Sequence, residues 1–181
     1  MKQQIKKILR HRRKEKITGE NLKASAVLIP IFYDHGQYHI LFTERSDEVV
    51  FHKGQVCFPG GTQEPSDSSL LQTALRESEE EIGLEAKDIE VLGELDDILT
   101  LTTNYIISPF VAFIPTPHSL RTNGKEVKGT FSVPLSFLMD EANFKQESYS
   151  YEYEGHIIWG ATARILRQFI ALLKSEGVAV E

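Results

Sequence analysis

The sequence predicts an α/β (α+β) fold, a mixed sheet flanked by two main helices, and three observations carry that expectation. The runs "ASAVLIPIFY" and "YHILFTER" are rich in β-branched and aromatic residues and are split by the turn-forming "DHGQ". An amphipathic segment over residues 70–82 places apolar residues at helical spacing and stops at Gly83. A second such segment, "WGATARILRQFIALLKSEG", lies near the C-terminus.

Taken in chain order, the first element is basic. Residues 1–23 hold nine Lys/Arg against two Glu, so this stretch carries +7 and the remainder −13. Ile5, Ile8 and Leu9 recur at helical spacing among the cations, which suits a helix docked by a small apolar stripe with its charges in water. A nucleic-acid arm or a membrane-surface helix is the alternative, and it is disfavoured because no aromatic residue is interleaved for base stacking. Attraction of a polyanionic substrate is a third reading of the same charges. The chain is accordingly divided into a basic helical segment over 1–23 and a single domain over 24–181.

From Ala24 the two strand runs read as a hairpin. "GQVCFPGGTQEPSDSS" then gathers Gly54, Pro59, Gly60, Gly61 and Pro65 into a loop ahead of the first long helix, with Ser66 or Asp67 as its cap. Leu71, Leu75, Ser78 and Ile82 form that helix's apolar stripe. Further strands fit "IEVLGEL", "SPFVAFIPT" and "VKGTFSVPL". The last helix turns Ile165, Phe169 and Leu172 to one face, with Gly177 beyond its end and Trp159 in the core at its head.

A chain of 181 residues, 41% hydrophobic and 25% charged, is large enough for one well-formed core. No apolar run approaches the roughly 18 residues that span a bilayer, and the basic N-terminus has no apolar stretch behind it. A cytoplasmic protein is expected. Cys57 is the single cysteine, which excludes an intrachain disulfide and a Cys-rich zinc site. A homodimer is left open.

The chemistry concentrates in "ALRESEEEIGL", where Glu77, Glu79, Glu80 and Glu81 crowd into five positions. Each like-charged pair at helical spacing costs roughly 0.2–0.5 kcal/mol. At about 100° per residue, Glu77, Glu80 and Glu81 share one arc and Glu79 points away. A hard divalent cation would offset their repulsion, since such ions take oxygen ligands and share them with phosphates.

With these residues in view, "RESEEEIGL" resembles the second half of the Nudix hydrolase box. Arg76, Glu77, Glu80, Glu81, Gly83 and Leu84 match its pattern. In the first half Gly61 precedes Asp67 by the family's five intervening residues, but eight residues instead of seven separate Asp67 from Arg76. That expansion, with "LFTERSDEVVFHKGQVCFPGG" upstream and "IIWGATARIL" near the C-terminus, resembles the coenzyme A pyrophosphatase branch. Val50 stands where the branch pattern has arginine.

The resemblance implies an αβα sandwich with a metal-bound diphosphate site. By matching position, Glu77, Glu80 and Glu81 would bind Mg2+ or Mn2+, with the Gly61 carbonyl as a further ligand. Glu80, Glu81, Arg76 and Glu64 form the implied catalytic set, with Arg76 chiefly bracing the site. Asp67 fits support or a capping turn. Arg45, His52, Lys53 and Gln55 are the candidate substrate contacts, while His52 and Gln55 equally suit structural hydrogen bonds in the loop. The implied substrate is coenzyme A or a thioester, cleaved to 3',5'-ADP and 4'-phosphopantetheine. Another nucleoside diphosphate derivative such as ADP-ribose is the alternative, and a noncatalytic ligand sensor is the alternative from a different class.

Overall fold

The structure, a computed structural model, describes residues 1–46, 54–100, 103–117 and 120–179. It opens with α1 (Lys2–His11), followed by β1 (Lys23–Asp34) and β2 (Gln37–Arg45). These strands form the expected hairpin, with Ile31 opposite Ile40. His35 and Gly36 both take positive φ, 47° and 85°, in a tight turn that suits the strands' twist.

Next come β3 (Val56–Cys57), β4 (Gly60–Thr62), α2 (Leu70–Ile82), β5 (Glu90–Glu94), β6 (Ile98–Leu99), β7 (Tyr105–Phe113) and β8 (Val127–Pro134). The chain closes with α3 (Leu135–Met139), β9 (Phe144–Lys145), β10 (Ser150–Tyr153), β11 (His156–Ile158) and α4 (Gly160–Ser175). The main sheet runs β3-β2-β1-β7-β5, with β4 on β1, β6 on β7 and β8 on β2. It is mixed, because β1 and β7 pair in parallel. β9, β10 and β11 make a separate small sheet. Strands of two to four residues are too short to leave a readable period, so the sequence does not announce them.

Alternation along β1 divides the core between two layers. Ala26, Leu28 and Phe32 meet Ala74 and Ile82 of α2, whereas Ile29 and Ile31 join Ile165, Leu166 and Phe169 of α4. The sheet is thus covered by a helix on each face, as expected. Ile5 and Leu9 of α1 are buried in the α4-side cluster, and Lys2 and Lys6 bond the two carboxylate oxygens of Glu90 at 2.9 and 2.6 Å. Among the described residues no helix is long and apolar enough to cross a membrane.

Three local expectations are corrected. Ser69 caps α2, its Oγ accepting from the Gln72 N–H at 3.2 Å, while Asp67 is buried and engaged by Arg76. The buried face of α2 is centred on Ala74, Ser78, Glu81 and Ile82, with Leu71 and Leu75 only half-buried. Periodicity fixes the width of a helical face but not its centre, and here the Gly60 N–H draws Glu81 inward. Trp159 is 48% exposed, because it is the extended residue flanking α4 and not part of the helix's inner face.

Candidate active site

Two short stretches are fixed first. Gly60 and Gly61 lie on β4 opposite Val27 and Ala26, and Leu28 donates its N–H to the Pro59 carbonyl at 2.9 Å. The loop is therefore stitched to the centre of the sheet before it reaches α2. Gly61 is required by contact, since a Cβ there would sit 2.3 Å from Glu77 Oε1. The missing side chain is what lets the Glu77 carboxylate lie against the loop backbone.

The second fixed stretch is the end of α2. Gly83 closes the helix with φ 69°, and its N–H reaches the Glu79 carbonyl at 2.9 Å. The last carbonyls are taken by the loop before β8: Arg121 donates its N–H to Ile82 O at 3.1 Å and Asn123 donates to Glu81 O at 3.0 Å. Asn123 Oδ1 then accepts from the N–H groups of Glu126 and Val127, at 3.0 and 3.2 Å. Helix-end carbonyls seek outside donors, and satisfying them here delivers Glu126 to the helix.

As a result, carboxylate oxygens of Glu77, Glu81 and Glu126 all lie within 4.8 Å of one another. Glu81 is buried and bonded by the Gly60 N–H at 3.1 Å, Glu77 is half-buried, and Glu126 is exposed. Burial pushes the Glu81 carboxyl up to about 8; the Gly60 N–H and Arg45 oppose that rise, while the charges of Glu77 and Glu126 add to it. Burial likewise raises Glu77, with Arg76 opposing. Three hard oxygen donors at this spacing fit a divalent cation, which would relieve the strain of holding them together ionised.

Arg76 organises the surroundings. Its guanidinium spans Asp67 at two points, the Thr62 carbonyl at 3.2 Å, Glu77 Oε1 at 3.0 Å and Glu80 Oε2 at 3.1 Å. Glu80 is exposed and turned to Arg76, outside the three-carboxylate group. Glu79 is exposed, as its helical angle predicts. Glu64 is also exposed, with Oε1 4.0 Å from Arg76, and it does not join the carboxylates.

Of the upstream candidates, Arg45 ends β2 close enough to Glu81 for its charge to act on that carboxyl. Its Nε is buried without a hydrogen-bond partner among the described residues. Gln55 is half-buried, and its carbonyl accepts from the Arg45 N–H at 3.0 Å. His52, Lys53 and Val50 lie outside the described residues. Glu126 is the residue that sequence reading missed: it is far from α2 in the chain, and only the docking of the loop on the helix end brings it in.

The NUDIX domain model matches residues 22–151. A Photorhabdus laumondii protein named as an uncharacterized Nudix hydrolase NudL is 37% identical over 160 residues, covering 83% of this chain and 84% of that protein. A NudL of Yersinia enterocolitica is 37% identical over 158 residues, covering 82% and 80%. Among solved structures, a C. elegans Ap4A hydrolase complex superimposes with a TM-score of 0.59 at 16% identity, over 85% of this chain and 99% of that one. The NUDIX domain of Shewanella oneidensis NrtR, complexed with ADP ribose, gives 0.57 at 16% identity, over 86% and 90%. With the glycine loop, the Arg76-braced helix and the convergent carboxylates already in place, the chain belongs to the Nudix family and is a pyrophosphohydrolase of nucleoside diphosphate derivatives.

Proposed function

We propose that the enzyme hydrolyses the diphosphate bridge of coenzyme A or its thioesters, releasing 3',5'-ADP and 4'-phosphopantetheine or its acyl form. The observation that carries diphosphate hydrolysis is the convergence of Glu77, Glu81 and Glu126 beside Gly61. Coenzyme A as the substrate is supported by the run from Leu41 to Gly61 and by the expanded spacing between Asp67 and Arg76.

Magnesium or manganese bound at these carboxylates would neutralise phosphoryl charge and lower the pKa of the attacking water. Glu77 and Glu81, fixed on one helix, would hold the cation, with Glu80 and the Gly61 carbonyl as additional oxygen donors. Glu126, exposed and carried on a loop, would accept the water's proton at a carboxylate oxygen. The water oxygen bonds to one phosphorus as the bridging P–O bond breaks, and the bridge oxygen leaves with the other phosphate. Arg76 holds the loop and helix in register, with Glu64 at its edge. Arg45, whose buried Nε has no hydrogen-bond partner among the described residues, would bond a phosphate oxygen. His52, Lys53 and Gln55 are the further candidate substrate contacts. The products are two phosphate monoesters, with no covalent enzyme intermediate.

The test is a screen of coenzyme A, acyl-coenzyme A, ADP-ribose and dinucleotides with magnesium or manganese in 18O-water, read by mass. Coenzyme A should give the highest kcat/KM with one labelled phosphate. Val50, standing where the pattern has arginine, favours the second reading; faster cleavage of ADP-ribose would establish it. Turnover that persists after chelation would sink the metal-assisted reading altogether.

A further inference from the structure

Beyond α1 the chain does not wander. Residues 12–17 run as a strap held at the turn between β5 and β6 by two aspartates. Arg12 Nη2 bonds Asp96 at 2.5 Å, the Glu15 N–H donates to Asp96 Oδ1 at 2.7 Å, and the Ile17 N–H donates to Asp97 Oδ2 at 3.0 Å. The Asp97 N–H returns a bond to the Glu15 carbonyl at 3.1 Å. Lys14 is the deepest anchor, its ammonium 2.8 Å from Asp97, 2.9 Å from Glu94 and 3.2 Å from Ser108 Oγ.

The strap's charges divide by position. Arg12 and Lys14 are neutralised by the anchoring acids, whereas Arg13 and Lys16 are exposed and make no ion pair among the described residues. Arg13, Lys14, Glu15 and Lys16 line a cavity of about 880 Å³. That lies within the roughly 300–1,000 Å³ range of small-molecule and cofactor sites.

The strap is tied to the strand beside the diphosphate loop. Gly61 pairs with Ala26 on β1, and Ala26 pairs with Ser108 on β7, so Ser108, which Lys14 Nζ bonds at 3.2 Å, lies two strand spacings from Gly61, about 10 Å. Lys14 lies on the same face of the sheet: its Nζ is 5.8 Å from the Phe110 ring, which packs in the cluster beneath α2.

We propose that Arg13 and Lys16 form a phosphate subsite of the substrate cleft, recognising a phosphate monoester that the nucleotide carries apart from its scissile diphosphate. The inference rests on the diphosphate-hydrolase reading and names the part of the substrate that the basic segment reads; in coenzyme A that group is the 3'-phosphate. A rigid strap suits the task, because cations on a backbone fixed by three hydrogen bonds and by the ion pairs of Arg12 and Lys14 lose little freedom on binding. Glu15, the one acid among the described lining residues, opposes an anion and serves as an internal control.

The test compares 3',5'-ADP with AMP by calorimetry on the full chain in magnesium. The wild type should bind 3',5'-ADP about tenfold or more tightly than AMP, since a charge-assisted contact is at stake. R13Q/K16Q, two exposed substitutions expected to leave the thermal midpoint in place, should abolish that preference, and Glu15→Gln should increase it. In turnover, the double variant should lower the ratio of kcat/KM for coenzyme A to that for dephospho-coenzyme A by about tenfold, through KM. An undiminished preference in R13Q/K16Q, or an equal loss for AMP and 3',5'-ADP, would overturn the subsite. Loss of RNA binding with the nucleotide preference intact would do the same and identify a nucleic-acid arm. If the wild type cleaves another diphosphate and leaves coenzyme A intact, the substrate reading fails, while the ratio of 3',5'-ADP to AMP affinity still decides the subsite.

Discussion

Arg76 grips Asp67 at two points, Nε donating to Oδ1 at 3.1 Å and Nη2 to Oδ2 at 3.0 Å. The same guanidinium reaches the Thr62 carbonyl and Glu77, so one side chain ties the glycine loop to the carboxylate-bearing face of α2. Lysine keeps the charge but lacks the planar fork. Arg76→Lys should therefore fold, yet lose turnover on the order of 100-fold, the scale expected when reacting groups are misplaced by about 1 Å. Steady-state kinetics with circular dichroism as a folding control checks this.

The same pair sets an acid limit. Arg76's hydrogen bonds, then the Glu64 N–H, hold Asp67 at about 2, whereas an unfolded aspartate titrates near 3.9. Between these values the unfolded chain takes up the proton first. The stabilisation is therefore complete above about pH 4 and is lost as pH falls through about 2. Thermal midpoints should drop with acid over that window in the wild type, and the slope should flatten in Asp67→Asn.

The carboxylate cluster separates neighbouring glutamates. Magnesium or manganese should raise the thermal midpoint, because a ligand that binds only the native state stabilises it by mass action. Glu77→Gln, Glu81→Gln and Glu126→Gln should each demand about tenfold or more cation for the same rise, while Glu79→Gln should not. Glu80, turned to Arg76, should fall between them. A Glu80 effect as large as that of Glu81, with none at Glu126, would restore the three-glutamate helical arc and remove the loop from the site.

Gly61 offers an independent probe of the same geometry. A methyl group there meets Glu77 Oε1 at 2.3 Å, closer than atoms can approach, so Gly61→Ala must displace that carboxylate or the loop. The fold should survive, since β4 is short and at the surface of α2. Cation-induced stabilisation and turnover should fall together, on the order of 100-fold in kcat/KM, as followed by titrating the thermal shift and the rate on one preparation.

Sequence legibility followed locality. The β1–β2 hairpin, α2 and its end at Gly83, and α4 were readable because turn residues and periodicity are local. Gly61, Arg76, Glu77 and Glu81 stand in one continuous stretch, so their resemblance to the Nudix box could be seen in the sequence, and the structure brings Gly61 and Arg76 against Glu77. Glu126 was not: its place depends on Asn123 and Arg121 filling carbonyls at the end of α2, a pairing that no local pattern encodes. The centre of α2's buried face was hidden for a related reason, since the Gly60 N–H decides that a glutamate, Glu81, turns inward.

The N-terminal helix tests burial against charge. Ile5 is 1% exposed and Leu9 is 6% exposed in the main core, while Lys2 and Lys6 hold Glu90 at the surface. Leu9 also comes so close to β5 that a Cβ on Gly93 would lie 2.5 Å from its own Cβ. Removing a buried isoleucine side chain costs about 2–5 kcal/mol, whereas partly exposed ion pairs are screened by water. Ile5→Ala should therefore lower the urea midpoint substantially without changing the slope m, and Gly93→Ala should do likewise by pushing α1 away. Glu90→Gln should lower it much less. A Glu90 effect equal to that of Ile5 would mean that the helix is held by its charges, and raising the salt concentration would then release it.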